Sequence, residues 1–339
     1  MTGSMRRAVL TATRTFEVED APIPAVEPLH VRMRIQASGI CGSDLHTYLG
    51  ENPAVKTPVA PGHEFAGVID ALGEGVESIA IGDLVAARPS VPCGECGYCR
   101  KGDEHLCDRM RFVGGLYYDG AFAEYVVLPA ECVTAVDPSW NPAVIAFAEP
   151  TAVAVHTVAL PGDINGKDVL IIGCGTIGLL VAQVARLAGA RAFVTDLVPA
   201  KVALAVELGA IAADRDPDDP SRFAPAVGEA FDCAFDCVGF NTTMAQALTS
   251  VRKGGTVVLV GVPIEPIKLD PLTVLLGERR LIGSYIYRND EFAIALDLIL
   301  RQDVKIEPLI TASYSLEEIG QAFELAVAGN ERVKLILVP

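Results

Sequence analysis

DVLIIGCGTIG, residues 168 to 178, decides the fold. An apolar run stops at Gly173, and a Gly-x-Gly-x-x-Gly turn leads into the Ala/Leu-rich stretch LLVAQVARLAGA. A strand, a glycine turn and a helix in that order form the phosphate-binding unit of a dinucleotide fold. Gly173 permits the tight turn, Gly175 lets a pyrophosphate approach the backbone, and Gly178 lets helix and strand pack closely. The phosphates then meet the helix N-terminus. Asp196 ends the next strand, AFVTD, where a carboxylate accepts hydrogen bonds from the adenosine ribose and repels a 2′-phosphate. This predicts NAD over NADP, although Lys201 adds a cation nearby. Ile177 in the turn, Lys201, Val260 and Tyr287 complete the expected cofactor contacts, with Gly173, Gly175, Gly178 and Asp196.

Downstream the alternation continues through AKVALAVELGA, FDCAFD, TVVLVG and RLIGSY, so that six strands are expected between Asp168 and Tyr285. Continuous apolar strands indicate a parallel sheet covered on both faces, an α/β doubly wound domain over residues 152–287. Upstream, HVRMRIQASG, HEFAGVIDALG, GDLVAARPS and AEYVVLPAECVTAV read as short strands separated by Gly, Pro and Asp, an all-β body. From about residue 288 the helices DEFAIALDLILRQ and SLEEIGQAFELAVAG, a PLI strand and a final VKLILVP strand should return to that first domain, residues 1–151 with 288–339. RDPDDPSR near residue 218 reads as an exposed loop.

A chain of 339 residues exceeds the usual ceiling for one core, which agrees with two domains. The formal charge of −16 repels nucleic acid and anionic lipid, and no run approaches the roughly 20 apolar residues needed to cross a bilayer. Neither nucleic acid nor membrane is expected as a partner, and the cytoplasm is the expected compartment.

Nine cysteines, an odd number, point to metal rather than disulfides. Cys93, Cys96, Cys99 and Cys107 follow the pattern C-x2-C-x2-C-x7-C in PCGECGYCRKGDEHLC. Four thiolates on one short loop can close a tetrahedral structural zinc and leave no position for substrate. A nucleic-acid-binding zinc ribbon would instead show two separated knuckles among basic residues. Cys41 in GICGSDLH, His63 in PGHEFAG and Glu149 in AEP are zinc ligands of the catalytic type, which keep a fourth position open. Taken singly, each also reads as a small buried thiol, a turn histidine and a helix-start charge. Cys132, Cys174, Cys233 and Cys237 read as core thiols and His156 as a packed histidine, while His30 and His105 join no constellation.

GICGSDLH, PGHEFAG, the four-cysteine lobe, AEP and GCGTIG, in this order, resemble the zinc-containing medium-chain alcohol dehydrogenases, closest to the polyol, butanediol and threonine dehydrogenase branch. The resemblance implies a GroES-like β catalytic domain, a Rossmann domain with a six-stranded sheet, and a catalytic zinc between them. With the lobe this makes two zinc ions per chain. It implies hydride transfer from a small-molecule alcohol to NAD, with either Glu64 or Glu149 completing the shell of Cys41 and His63. It further implies that Ser43 accepts the hydroxyl proton, that His46 relays it, and that Asp44 orients His63. Gly42 stands where liver-type members carry an arginine. Tyr48, Leu49, Phe112, Tyr117 and Tyr118 are candidate pocket walls. Tyr287 matches a polyol-contacting tyrosine while the arginine is displaced to Arg288, which favours a secondary alcohol or small vicinal diol. TVVLVG and VPIEP resemble an edge through which relatives dimerise, so a homodimer or homotetramer is expected. A zinc-free reductase of the same fold, or a non-catalytic NAD-binding regulator, are the competing readings.

Overall fold

A computed structural model describes residues 3–52, 55–115, 117–216, 218–219, 221–224, 230–329 and 331–339. The chain divides into two compact units, Met1–Glu149 with Arg288–Ile299 and Ile306–Pro339, and Pro150–Tyr287 with Leu300–Lys305.

The second unit is built on a parallel sheet in the order Ile211–Ala212, Arg191–Thr195, Asp168–Ile172, Phe231–Asp236, Val251–Leu259 and Arg280–Gly283. Every residue of Asp168–Ile172 is buried, as a strand covered on both faces requires. Leu170 sits between Phe193 and Ala234 in register, and a core of Leu170, Phe193, Phe231, Leu248 and Val257 packs on one face. The Phe193 and Phe231 rings meet edge to face at 5.3 Å. Helices Thr176–Leu187, Pro199–Glu207 and Asn241–Ser250 connect the strands. The order reverses direction between Asp168–Ile172 and Phe231–Asp236, and such a switch point opens a ligand crevice at the carboxyl ends of the strands. Gly173, at φ +96°, turns the chain at that crevice. A Cβ on Gly178 would collide with the Gly173 carbonyl oxygen, so the helix can lie this close to the turn only with glycine there.

The first unit is β-rich. One sheet runs Val133–Val136, Leu84–Ala87, Glu64–Leu72, His30–Gly39, Lys334–Val338 and Ile310–Ser315, and Tyr125–Pro129 also pairs with His30–Gly39. Alternate residues of the long strand, Val31, Met33 and Ile35, point inward onto Phe65, Ile69, Val85 and Leu128. A second core gathers Leu10, Phe122, Leu316, Phe323 and Leu335. The last strand inserts between two others, antiparallel to His30–Gly39 (Ile336 opposite Gly39) and parallel to Ile310–Ser315. That insertion carries Lys334 to the start of the Cys41 segment.

Two local expectations shift. Pro308 and Leu309 lie in a 3-10 turn, Glu307–Leu309, and the strand begins only at Ile310; proline lacks the amide a ladder position needs. Around RDPDDPSR, residues 215–222, Asp214–Arg215 pairs with Phe223–Ala224, while Pro217 and Pro220 lie outside the described residues. One helical stretch among the described residues, Pro142–Ala159, is long and apolar enough to cross a membrane, and 72% of it is buried inside the protein, as in a core helix.

Candidate active site

The four-cysteine lobe is shaped by two single 3-10 turns, Cys99–Lys101 and Glu104–Leu106. They bring the sulfurs of Cys93, Cys96, Cys99 and Cys107 within 4.8 Å of one another. The Cys96–Cys99, Cys93–Cys99 and Cys96–Cys107 separations are 3.5, 3.9 and 3.9 Å. A disulfide needs about 2.05 Å, whereas a tetrahedron with Zn–S bonds of about 2.3 Å has edges of about 3.8 Å. The donor set therefore fits a zinc ion. Amide groups already point at the sulfurs, from Cys93 to Cys107 at 3.3 Å and from Arg109 to Cys107 at 3.4 Å. Backbone hydrogen bonds from Glu95, then from Cys96, lower the Cys93 thiol to about 6, while desolvation pushes Cys99 up to about 12. The Arg109 guanidinium lies 3.4 Å from Cys93 Sγ and 2.7 Å from Glu95. Arg288 Nη1 pairs with Asp103 at 3.2 Å, tying the lobe to the start of helix Asn289–Leu300.

The second constellation forms where two glycine-bounded strand ends meet. Cys41 precedes the short helix Gly42–Tyr48, and its amide donates to Asp44 Oδ2 at 3.0 Å. His63 ends the loop before strand Glu64–Leu72. The ligand atoms of Cys41, His63 and Glu64 lie within 4.8 Å of one another, and Glu149, buried in the first turn of Ala148–Ala159, falls outside this group. Asp44 Oδ1 faces His63 Nδ1 at 3.4 Å, and Ser43 Oγ lies 3.5 Å from His63 Nε2. Burial opposes charge on the His63 ring, but the neighbouring Asp44 and Cys41 outweigh it and hold its pKa well above the ordinary value. The Phe112 ring packs against His63 at 5.6 Å. Farther out, His46 Nδ1 meets Glu51 Oε2 at 2.9 Å on the surface.

Glu64 is 2% exposed, with Oε2 taken by Lys334 Nζ at 2.6 Å and Oε1 buried without a hydrogen-bond partner. An unsatisfied buried carboxylate oxygen is costly unless a cation meets it. Thiol, imidazole and an unpartnered carboxylate oxygen make a donor set suited to zinc with a position left open.

In the second unit, a Cβ at Gly175 would meet no protein atom within 4 Å, which leaves backbone accessible at the N-terminus of Thr176–Leu187. The Asp196 carboxylate accepts from the amides of Cys174 at 2.7 Å and Val198 at 2.8 Å, so the glycine turn and the strand end are fixed together. Both features suit a dinucleotide. Ile177, Lys201 and Val260 are partly exposed near strand and helix ends, whereas Tyr287 is 1% exposed.

Sequence reasoning missed Asp236. Its carboxylate receives the amides of Val238 and Gly239, each at 3.1 Å, and Thr243 Oγ1 at 3.0 Å, and so braces the loop at the switch point. Lys334 was missed as well; its only signal is a lysine opening an otherwise apolar strand. Tyr48 corrects an expectation: it is 2% exposed in the core with Phe16 and Phe323, and its hydroxyl donates to Glu324 at 2.7 Å, so it lines no pocket. Leu49 packs on the same core. Tyr117 is 83% exposed, Tyr118 lies under Arg111, and Leu116 of that turn is outside the described residues. Cys132, Cys174 and Cys233 are buried core thiols, with Cys237 half-buried.

A GroES-like β unit carrying zinc-type donor sets, joined to a doubly wound dinucleotide unit, defines a zinc-binding oxidoreductase. Residues 27–138 match the family model of the alcohol dehydrogenase GroES-like domain, and residues 176–301 that of the zinc-binding dehydrogenases. The L-idonate 5-dehydrogenase of Vitis vinifera is 32% identical, over 97% of this chain and 93% of that protein. The sorbitol dehydrogenase of Bacillus subtilis strain 168 is 32% identical, over 99% and 98%. A crystal structure of a zinc-binding dehydrogenase from Sinorhizobium meliloti 1021 bound to NADP superposes with a TM-score of 0.91 at 32% identity, covering 99% of this chain and 100% of that one. The chain belongs to the zinc-binding medium-chain alcohol dehydrogenase family, and it is a dehydrogenase that uses NAD(P).

Proposed function

We propose that the protein oxidises a secondary alcohol, a small vicinal diol or a polyol with NAD. It would hold one zinc ion at Cys41, His63 and Glu64 and a second at Cys93, Cys96, Cys99 and Cys107. The observation that carries this reading is the convergence of Cys41, His63 and Glu64, with Glu64 Oε1 buried and unpartnered. When bound, the first zinc supplies a Lewis acid for the carbinol oxygen, the second stiffens the lobe, and NAD accepts the hydride.

The chain's own residues do the rest. Asp44 holds His63 by Nδ1 so that Nε2 presents its lone pair to the centre. Ser43 Oγ, beside that nitrogen, accepts the hydroxyl proton, and His46 passes it to solvent with Glu51 at its other side. Phe112 keeps water off one face of the His63 ring. Glu64 would be the direct carboxylate ligand, and Glu149, outside that donor group, would act through water. Gly173, Gly175, Ile177 and Gly178 cradle the pyrophosphate, with Val260 and Tyr287 further along the dinucleotide. Asp196 takes the ribose hydroxyls and selects NAD, with Lys201 alongside. The Sinorhizobium relative binds NADP, so this choice rests on the carboxylate of Asp196 alone.

The proposed division is a catalytic domain of residues 1–151 with 288–339 and a cofactor domain of residues 152–287. A homodimer or homotetramer is supported by the exposed edge strand Arg280–Gly283 and the neighbouring Leu272, Leu275 and Leu276, 59%, 69% and 69% exposed. Light scattering at the mass of a monomer would remove that proposal. Nine free thiols suit a reducing cytoplasm. The test of function is a panel of sorbitol, 2,3-butanediol, threonine and 2-propanol with NAD and with NADP, read at 340 nm. NADH formation on one or more supports the reading, and turnover of primary alcohols only contradicts it.

A further inference from the structure

We infer that Lys334 is a positioning residue for the catalytic metal centre, fixing Glu64 by one carboxylate oxygen so that the other is delivered to the ion; this rests on the metal site proposed above. Lys334 opens the last strand and is 3% exposed, at the far end of the chain from the site it serves. Its ammonium donates to Glu64 Oε2 at 2.6 Å and to the Ile40 carbonyl at 2.9 Å, one residue before Cys41. Gly39 makes the pair possible: a Cβ there would collide with Glu64 Oε2 and stand 3.3 Å from Lys334 Cδ. Three backbone segments thus converge to hold one carboxylate by one oxygen while its second oxygen stays buried and unpartnered.

Charge supports the same conclusion. The ionisable groups facing the Lys334 ammonium are Glu64, Cys41 and Asp44. With Cys41 as the thiolate and His63 as the neutral imidazole that a metal requires, the three acids carry −3. Lys334 brings the sum to −2, and one divalent cation makes the buried cluster neutral. A buried pair such as Glu64 and Lys334 is weak evidence for stability, since desolvation offsets much of its attraction, so orientation and charge balance are the better reasons for it.

The experiment measures zinc affinity of the Cys41 site by competition with a chromophoric chelator, using zinc-replete protein and Cys41→Ser to identify that site's signal. Lys334→Met should weaken affinity by about 10- to 100-fold, the usual effect of removing a partner that orients a ligand. Lys334→Arg, which keeps charge and donors, should recover most of it. In a Glu64→Gln background, adding Lys334→Met should cost nothing further, because Lys334 acts through the carboxylate. Wild-type affinity in Lys334→Met, or full additivity of the two changes, would overturn the inference. If Lys334→Met fails to fold, Lys334→Gln, shorter and uncharged, takes its place: weakened zinc affinity supports the inference and wild-type affinity overturns it. A wild-type chain with zinc only in the lobe would instead sink the site assignment itself.

Discussion

Asp44→Asn tests the geometry of the centre with the smallest change of shape. The Asp44 carboxylate is buried, accepts the Cys41 amide at 3.0 Å through Oδ2 and faces His63 Nδ1 at 3.4 Å through Oδ1. An asparagine must keep its carbonyl oxygen on the Cys41 amide, which turns the NH2 toward His63. Two donors then oppose each other. The ring relieves the clash by moving its proton to Nε2, the nitrogen that should ligate. Hydrogen bonds to a charged group contribute about 1.5–3 kcal/mol, and 3.4 Å is long for one, so a loss near 1.5 kcal/mol is expected, about tenfold in metal affinity. The assay is chelator competition on purified protein, with kcat/KM measured on the same samples. Turnover should fall at least as far as affinity, because the wrong tautomer withholds Nε2 from the centre where the alcohol is activated. Wild-type zinc affinity and kcat/KM in Asp44→Asn would refute the reasoning that Asp44 sets the His63 tautomer.

Tyr48 gives a pH signature. Burial, then its bond to Glu324, raises its pKa from about 10 to about 12. The neutral phenol is therefore favoured in the folded state, and this contribution is complete below pH 10 and lost as pH rises towards 12. Tyr48→Phe should flatten that alkaline decline in thermal melts, and an unchanged profile would discard the assignment. Asp196→Ser should raise kcat/KM for NADP relative to NAD by at least tenfold, since the charge facing a 2′-phosphate is gone; no change in the ratio would move the specificity elsewhere. Arg288→Ala breaks a half-exposed pair with Asp103, for which under about 1 kcal/mol is expected, so the melting temperature should move only slightly and kcat/KM should hold. A large rise in KM would instead place Arg288 against the substrate.

Local pattern made much of this legible. The strand, glycine turn and helix of residues 168–187 are contiguous in sequence, so their geometry follows from periodicity, from the positive φ of Gly173 and from the missing Cβ of Gly178. The four-cysteine lobe is equally local, because two short turns suffice to gather its sulfurs. What sequence could not show depends on strand register between distant segments. Lys334 reaches Glu64 only because the last strand slots beside His30–Gly39 with Ile336 opposite Gly39, and a single-residue slip would turn the lysine away. Tyr48 read as a pocket wall because aromatic residues next to a catalytic motif suit that role. Its ring instead fills the core that Phe16 and Phe323 supply from opposite ends of the chain. Arg288 likewise finds its partner in the lobe, a pairing set by the point where the chain re-enters the first unit.

The number of zinc ions one chain holds, and the residues that hold them, decide whether the centre at Cys41 exists. Atomic emission on wild-type protein, Cys41→Ser and Cys96→Ser, with activity measured on the same samples, reads this out. Two zinc ions in the wild type are predicted. Cys41→Ser should keep one and be inactive, and Cys96→Ser should lose the lobe's ion and melt at lower temperature. Full activity with a single zinc per chain, or a Cys41→Ser protein that still turns over, would contradict it.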